Sequence, residues 1–369
     1  MNIFRRLPLF RLLIALVLAV AVGVSATALA FALGTGPTPA AKPLADAIHD
    51  ALAGANGNAV QGVSANITFT NRLLEGASLA SGGKSGELTS NPLIAGASGR
   101  LWIAKDGDVR IELQSEKGDT QILYDGHTLE LYDAASNTLY RYTPTAQEAG
   151  GGGEAGGGSA GEQHEVPSVA KIEEAIANLK HVDVSGATPT DVAGQPAYTV
   201  RVSPKEGGSL LGGAELSFDA DNGVPLRTAV YSTSSSSPVI ELAASEVSFG
   251  PVESSVFAIT PPANAKVQEI TFSHDHQGAA KTSGEGEKPK VTTHGQGPAT
   301  IAVLETKSKG AAGASESLEG LPKVTINGTS ASELRTELGT LLTFERSGVR
   351  YLVAGAVSPT AVEEVARGL

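Results

Sequence analysis

Cysteine is absent from all 369 residues, which excludes disulfides, a thiol nucleophile, thiolate metal sites and the lipidated cysteine of a lipoprotein. Aromatic side chains are scarce at 5%, while glycine numbers 44, so part of the length must be loop or linker. Basic residues are also short, 27 against 39 acidic for a net charge of −12, and three of them, Arg5, Arg6 and Arg11, precede the first apolar segment. Nucleic acid needs a basic footprint and is not an expected partner.

Catalytic fingerprints are missing as well. Gly157-Gly158-Ser159-Ala160-Gly161 matches a nucleophile elbow by letter, but it lies in a glycine tract with no strand before it. Gly83-Lys84-Ser85 ends like a phosphate-binding loop, yet Ser78 stands where the first glycine belongs. His274-Asp275-His276, with His294 nearby, reads as solvated linker rather than a metal site, and Glu173-Glu174 and Glu363-Glu364 as solvated helix faces. Asn66-Ile67-Thr68 and Asn327-Gly328-Thr329 are glycosylation sequons with meaning only on a eukaryotic secretory route. The expectation is a non-enzyme with no metal and no cofactor.

What is present begins with an uncharged run over 12–33, behind the three arginines. At about 22 residues a helix there would reach about 33 Å, enough for a bilayer core, while Ala28-Leu29-Ala30 offers a small-residue cleavage site. Residues 1–33 are therefore a signal peptide or a signal anchor. Either places the remainder outside the cytoplasm, and an anchor would hold it at the cytoplasmic membrane. A short helix is expected after the 34–43 spacer, with Leu44, Ala47, Ile48, Ala51 and Leu52 on one face and Gly54 ending it. A second amphipathic helix is expected over 168–181, capped by Ser168.

The most regular stretch is 99–142. Lys105-Asp106-Gly107-Asp108, Glu116-Lys117-Gly118-Asp119, Tyr124-Asp125-Gly126-His127 and the 133–137 segment supply turn residues, and five short runs lie among them. Val109, Ile111 and Leu113 alternate with Arg110, Glu112 and Gln114; Leu129 and Leu131 repeat the dry set, and Leu101 and Ile103 flank Trp102. This period predicts an antiparallel meander with one apolar face. Val63, Ala65, Ile67 and Phe69 mark a strand before it, and 70–98 reads as irregular. A second strand series is expected over 198–202, 214–218, 226–231 and 240–249, closed by 256–260 and Pro261-Pro262. Residues 271–298 read as an inter-domain linker and 299–369 as a small α+β module, with strands at 300–304, 323–326, 341–345 and 350–354 and a helix opened by Ser358-Pro359.

Several of these segments resemble a known family. Gly99-Arg100-Leu101-Trp102-Ile103-Ala104 with Asp108-Val109-Arg110-Ile111-Glu112, then Ile122-Leu123-Tyr124-Asp125-Gly126-His127 and Leu131-Tyr132-Asp133, resemble the LolA/LppX/RseB-type superfamily of extracytoplasmic lipid and lipoprotein carriers. The stretch 216–226, with Asp219-Ala220-Asp221-Asn222-Gly223 at its turn, is similar to the family's second-half signature, and 257–267 to its closing strand. The tail at 349–355 is similar to a small module of membrane-associated and sigma-factor-regulatory proteins.

The resemblance spans 44–270 and implies a mainly β fold, a curved, half-open antiparallel β-barrel with covering helices, plus the C-terminal α+β module. It implies a cavity for lipid or lipoprotein acyl chains, lined by Ile67, Phe69, Leu101, Trp102, Ile103, Val109, Ile111, Leu113, Leu129, Leu131, Val200, Val202, Leu216 and Phe218. Arg72 and Arg100 are candidates for the family's arginine-dependent lipoprotein handling. Two alternatives stay open: a membrane-anchored sensor whose C-terminal module meets an anti-sigma-factor-like protein, and a structural envelope protein whose core is filled. Without the resemblance, alternating Val, Ile and Leu mark filled core more often than cavity lining.

Overall fold

The computed structural model describes residues 36–56, 60–75, 92–116, 118–144, 166–258, 261–270, 290–307 and 321–369. The glycine-tract serine, the Gly83-Lys84-Ser85 loop, the His274-Asp275-His276 group and the 12–33 run lie outside them. Among the described residues no helix is long and apolar enough to cross a membrane.

The meander forms as its alternation predicts. β1 (Gly62–Asn71), β2 (Ala97–Ala104), β3 (Val109–Ser115), β4 (Gly118–Tyr124), β5 (Leu129–Asp133) and β6 (Thr138–Tyr142) lie side by side in chain order, each antiparallel to the next. The turns use the chemistry their residues offer. Asp125 accepts from the backbone N–H of His127 and Thr128 at 2.9 and 2.6 Å, and Gly126 takes φ 81° between them. On its other side β1 pairs with β12 (Pro238–Phe249), followed outward by β11 (Pro225–Ser232), β10 (Leu211–Asp219) and β9 (Gln195–Pro204), whose free edge carries β7 (Val182–Val184) and β8 (Thr188–Val192). β13 (Lys266–Ile270) adds to β6 in parallel and completes an open, curved sheet of 13 strands.

Several expectations are corrected here. The series is closed by β13; Ser254–Phe257, which overlaps the start of the expected 256–260 strand, is a 3₁₀ turn that covers β3 from the side opposite the meander's apolar face, and 259–260 lie outside the described residues. The 70–98 excursion contains the helical turn α2 (Pro92–Ala95). α1 (Leu44–Asn56) runs through Gly54, because a missing Cβ there lets the helix meet the 219–223 turn; a Cβ would stand 2.5 Å from the Asp221 carbonyl oxygen. α3 (Val169–Ala177) ends short of 181, with Ser168 at its N-cap position but making no side-chain cap bond.

A second sheet of six strands orders as β14 (Lys290–His294), β15 (Ile301–Lys307), β19 (Val349–Gly355), β18 (Gly339–Arg346), β17 (Thr329–Thr336) and β16 (Lys323–Ile326). β14 thus takes residues expected in the linker. β17 was not foreseen, although Asn327-Gly328, with φ of 47° and 81°, is the turn that joins it to β16. α4 (Pro359–Arg367) lies on this sheet and buries Val362 and Ala366 against Val303, Leu342 and Val353, a core separate from that of the large sheet.

Candidate functional site

Pairing register sorts the large sheet into an apolar inner face and an outer face that is largely polar but buries Leu123, Tyr132 and Leu139 at its meander end. One inner row crosses six strands as Val200, Leu216, Thr228, Leu242, Phe69 and Ala97. Another crosses β1 to β6 as Ala65, Leu101, Ile111, Ile122, Leu131 and Tyr140, and a third joins Ile103, Val109, Tyr124 and Leu129. Directly opposed residues share a face, so these rows are continuous apolar stripes.

Two clusters divide the inner face. On the meander side Ala65, Ile67, Phe69, Leu101, Val109, Ile111, Leu113, Leu242 and Ala244 form one core, onto which Leu93 of α2 and Ala193 of the β8–β9 turn are packed. On the far side Ala47 and Ala51 of α1 sit on Tyr198, Val200 and Phe218. The Tyr198 hydroxyl leaves that core by donating to the Ala40 carbonyl at 2.6 Å. Leu216 and Leu129 remain 38% exposed within this otherwise covered face. Thr120 and Thr228, both on it, carry buried hydroxyls with no hydrogen-bond partner.

The outer face is a ladder of ion pairs. Arg227 holds Glu215 at 2.9 Å and Glu241 at 2.7 Å, Arg201 reaches Glu215 at 3.0 Å, and the Tyr231 hydroxyl donates to Glu215 at 2.7 Å. Burial pushes the Glu215 carboxyl up, but the bonds from Tyr231, Arg227 and Arg201 outweigh it and leave it below the usual range. Asp219, in the turn beneath α1, is raised by burial despite accepting from the Asp221 and Asn222 amides. A cavity of about 520 Å³ opens on this polar face, lined chiefly by Asn66, Thr68, Ser98, Arg100, Glu112 and Gln114. No group of three metal-ligating side chains occurs among the described residues.

The chain is similar to solved structures of MucB and LolA type. MucB in complex with the periplasmic part of MucA shares 13% identity over 88% of this chain and 97% of that one, with a TM-score of 0.43. The Pseudomonas aeruginosa MucA/MucB complex gives 14%, 86%, 96% and 0.39, and a LolA superfamily protein from Nitrosomonas europaea 9%, 84%, 90% and 0.19. No family model matches the chain, and no curated protein does.

Of the residues singled out in the sequence, Ile67, Phe69, Leu101, Val109, Ile111, Leu113, Val200 and Phe218 are buried on the inner face. Ile103, Leu131 and Val202 are half-buried there. Trp102 is on the other side: it pairs with Ser64 and Arg110, and the Arg110 guanidinium lies 5.9 Å from its ring centre. Alternation alone separates it from its two neighbours. Arg100 also belongs to the outer face, and Arg72 to an exposed turn. Leu93 and Ala193 escaped the sequence reading, because α2 is a single turn and Ala193 enters the core only through the tip of a hairpin; Leu242 lies in the expected 240–249 strand without being singled out.

Proposed function

We propose that this chain is a non-catalytic binding protein of the cell envelope that takes an acyl chain of a lipid or lipoprotein onto the inner face of the large sheet. The observation that carries this reading is the apolar face itself, continuous across the sheet, covered in the described residues by two helices and a hairpin tip, and still exposing Leu216 and Leu129. Burying a methylene is worth about 0.8 kcal/mol, so a chain of about 16 carbons gains on the order of 10 kcal/mol gross, without a polar fingerprint. Thr228, directly opposite Leu216, adds an unsatisfied hydroxyl able to donate to an ester carbonyl. Leu93 and Ala193 occupy the part of the face over β1 to β3; uptake there requires α2 to move. The extracytoplasmic setting rests on the uncharged run at 12–33 behind Arg5, Arg6 and Arg11.

Native mass spectrometry of the chain purified from cells, followed by organic extraction, decides the matter. A bound species in the lipid mass range that extraction removes is expected. Ligand-free protein that also fails to take up added palmitate would leave the filled-core structural reading standing. A sensor reading, in which the second module meets an anti-sigma-factor-like protein, is favoured by one specific feature: that module is hydrogen-bonded to the turn after β1, next to the Asn71 side chain that bonds Leu93 of α2.

A further inference from the structure

Three hydrogen bonds run in series from the core of the large sheet to the second module, and a fourth returns from it to the large sheet. Leu93, packed on the inner-face cluster, offers its carbonyl to the Asn71 side-chain amide at 2.8 Å. The oxygen of the same Asn71 side chain accepts from the Leu73 N–H at 2.9 Å, which fixes the turn that follows β1. The Leu73 carbonyl accepts from the Glu337 N–H of the second sheet at 3.2 Å, and the Ser234 hydroxyl, after β11, donates to the Glu337 carboxylate at 3.1 Å. Beside α2 lies a space of about 380 Å³ bounded by Asn71, Arg72, Leu74, Glu75, Ile94 and Ala95. Among the described residues the seam also includes the Leu210 N–H and Ser209 hydroxyl, which both donate to the Ala356 carbonyl at 2.7 and 2.9 Å, and the 297–299 turn, which lies against His181, Glu206 and Gly208.

We propose that Glu337 is a latch: with Arg72, whose N–H donates to the Val239 carbonyl at 2.7 Å, it holds the 72–75 turn, and so the Asn71 side chain and through it α2, over the inner face, so that acyl-chain uptake and undocking of the second module are one linked equilibrium. The proposal rests on the acyl-chain reading for its ligand and on the hydrogen-bond series for its mechanism. An acyl chain that occupies the site of Leu93 displaces α2, breaks the Asn71 and Leu73 contacts and removes the surface on which Glu337 rests. Linkage is reciprocal, so a protein that binds the second module in its undocked position raises acyl-chain affinity by the same factor.

Glu337→Pro in the full chain tests the latch. Proline removes the donated N–H; Glu337 is the first of two turn residues, neither at positive φ, and Thr336 before it is in strand, so the turn accepts the ring. Hydrogen exchange read by mass spectrometry over 92–96 should quicken at least several-fold, and palmitate, measured by titration, should bind several-fold tighter. Asn71→Ala should quicken the same segment with the second module docked. Exchange over 92–96 that is unchanged in Glu337→Pro overturns the latch, whatever Asn71→Ala does. Should the proline variant not fold, the unaltered chain answers instead: saturating palmitate should quicken exchange over 72–75 and 336–339, and no change there overturns the proposal. If exchange over 92–96 responds to Glu337→Pro but neither protein binds palmitate, the latch stands and the acyl-chain reading falls.

Discussion

Ile111 shows what a single side chain on the inner face can report. It lies in the middle of the row from Ala65 to Tyr140 and is buried in the meander core. With Leu93 seated, Ile111→Trp overpacks that core and should cost about 1–3 kcal/mol in urea unfolding. Leu131→Trp, in the same row but half-buried, should cost less. Glu215 makes a pH prediction. Its carboxyl is held below the ordinary value of 4.5, so the native state binds its proton less readily than the unfolded chain does. The stability it contributes is present above that value and is lost as pH falls through the depressed one. Glu215→Gln should therefore flatten the decline of the urea midpoint below about pH 4.5. An acid branch as steep as that of the unaltered protein would show that the Arg227 and Arg201 pairs do not set it.

At the scale of elements, the seat of α1 is set by two glycines facing each other's backbone. A Cβ on Gly54 would stand 2.5 Å from the Asp221 carbonyl oxygen, and one on Gly223 2.5 Å from the Ala51 carbonyl oxygen. In an isolated helix Gly54→Ala would gain up to about 1 kcal/mol. Here it should lower the melting temperature, because the obstructing atom is main chain and cannot rotate away; a rise would mean that α1 is not held against this turn. The same contact explains why the sequence reading ended α1 too early. Glycine stops a helix by propensity, whereas this one is kept for approach. The meander was legible for the opposite reason: period-2 alternation and turn chemistry are local and agree with each other. β7, β8, β13 and β14 are short edge strands with little apolar periodicity, so neighbouring strands rather than their own residues create them.

For the whole molecule, two cores are built from separate segments, joined among the described residues by the hydrogen bonds at Leu73, Ser234 and Ala356 and by the approach of the 297–299 turn to His181, Glu206 and Gly208. Leu342 is fully buried in the second core, and Leu342→Ala should remove about 2–5 kcal/mol from that module. Because the two cores share no residue, scanning calorimetry should show one transition moved to lower temperature and the large sheet's transition nearly unmoved. A single transition shifting as a unit would mean that the modules unfold together, and the latch at Glu337 would then be one of many couplings.

Composition and pattern alone determined that this is a mainly β chain without thiol chemistry, that an apolar face runs through the meander, and most of the residues that share that face, Trp102 excepted. They could do so because strand alternation and turn preference are written over a few neighbouring residues. Tertiary structure alone decided what lies on the face. Leu93, Ala193, Ala47 and Ala51 come to it from a single helical turn, a hairpin tip and a helix distant in sequence, and Trp102 and Arg100 turn away from it. It also decided that Glu337, far along the chain, bonds the turn beside Leu93, since a main-chain hydrogen bond between two turns leaves no pattern in either sequence.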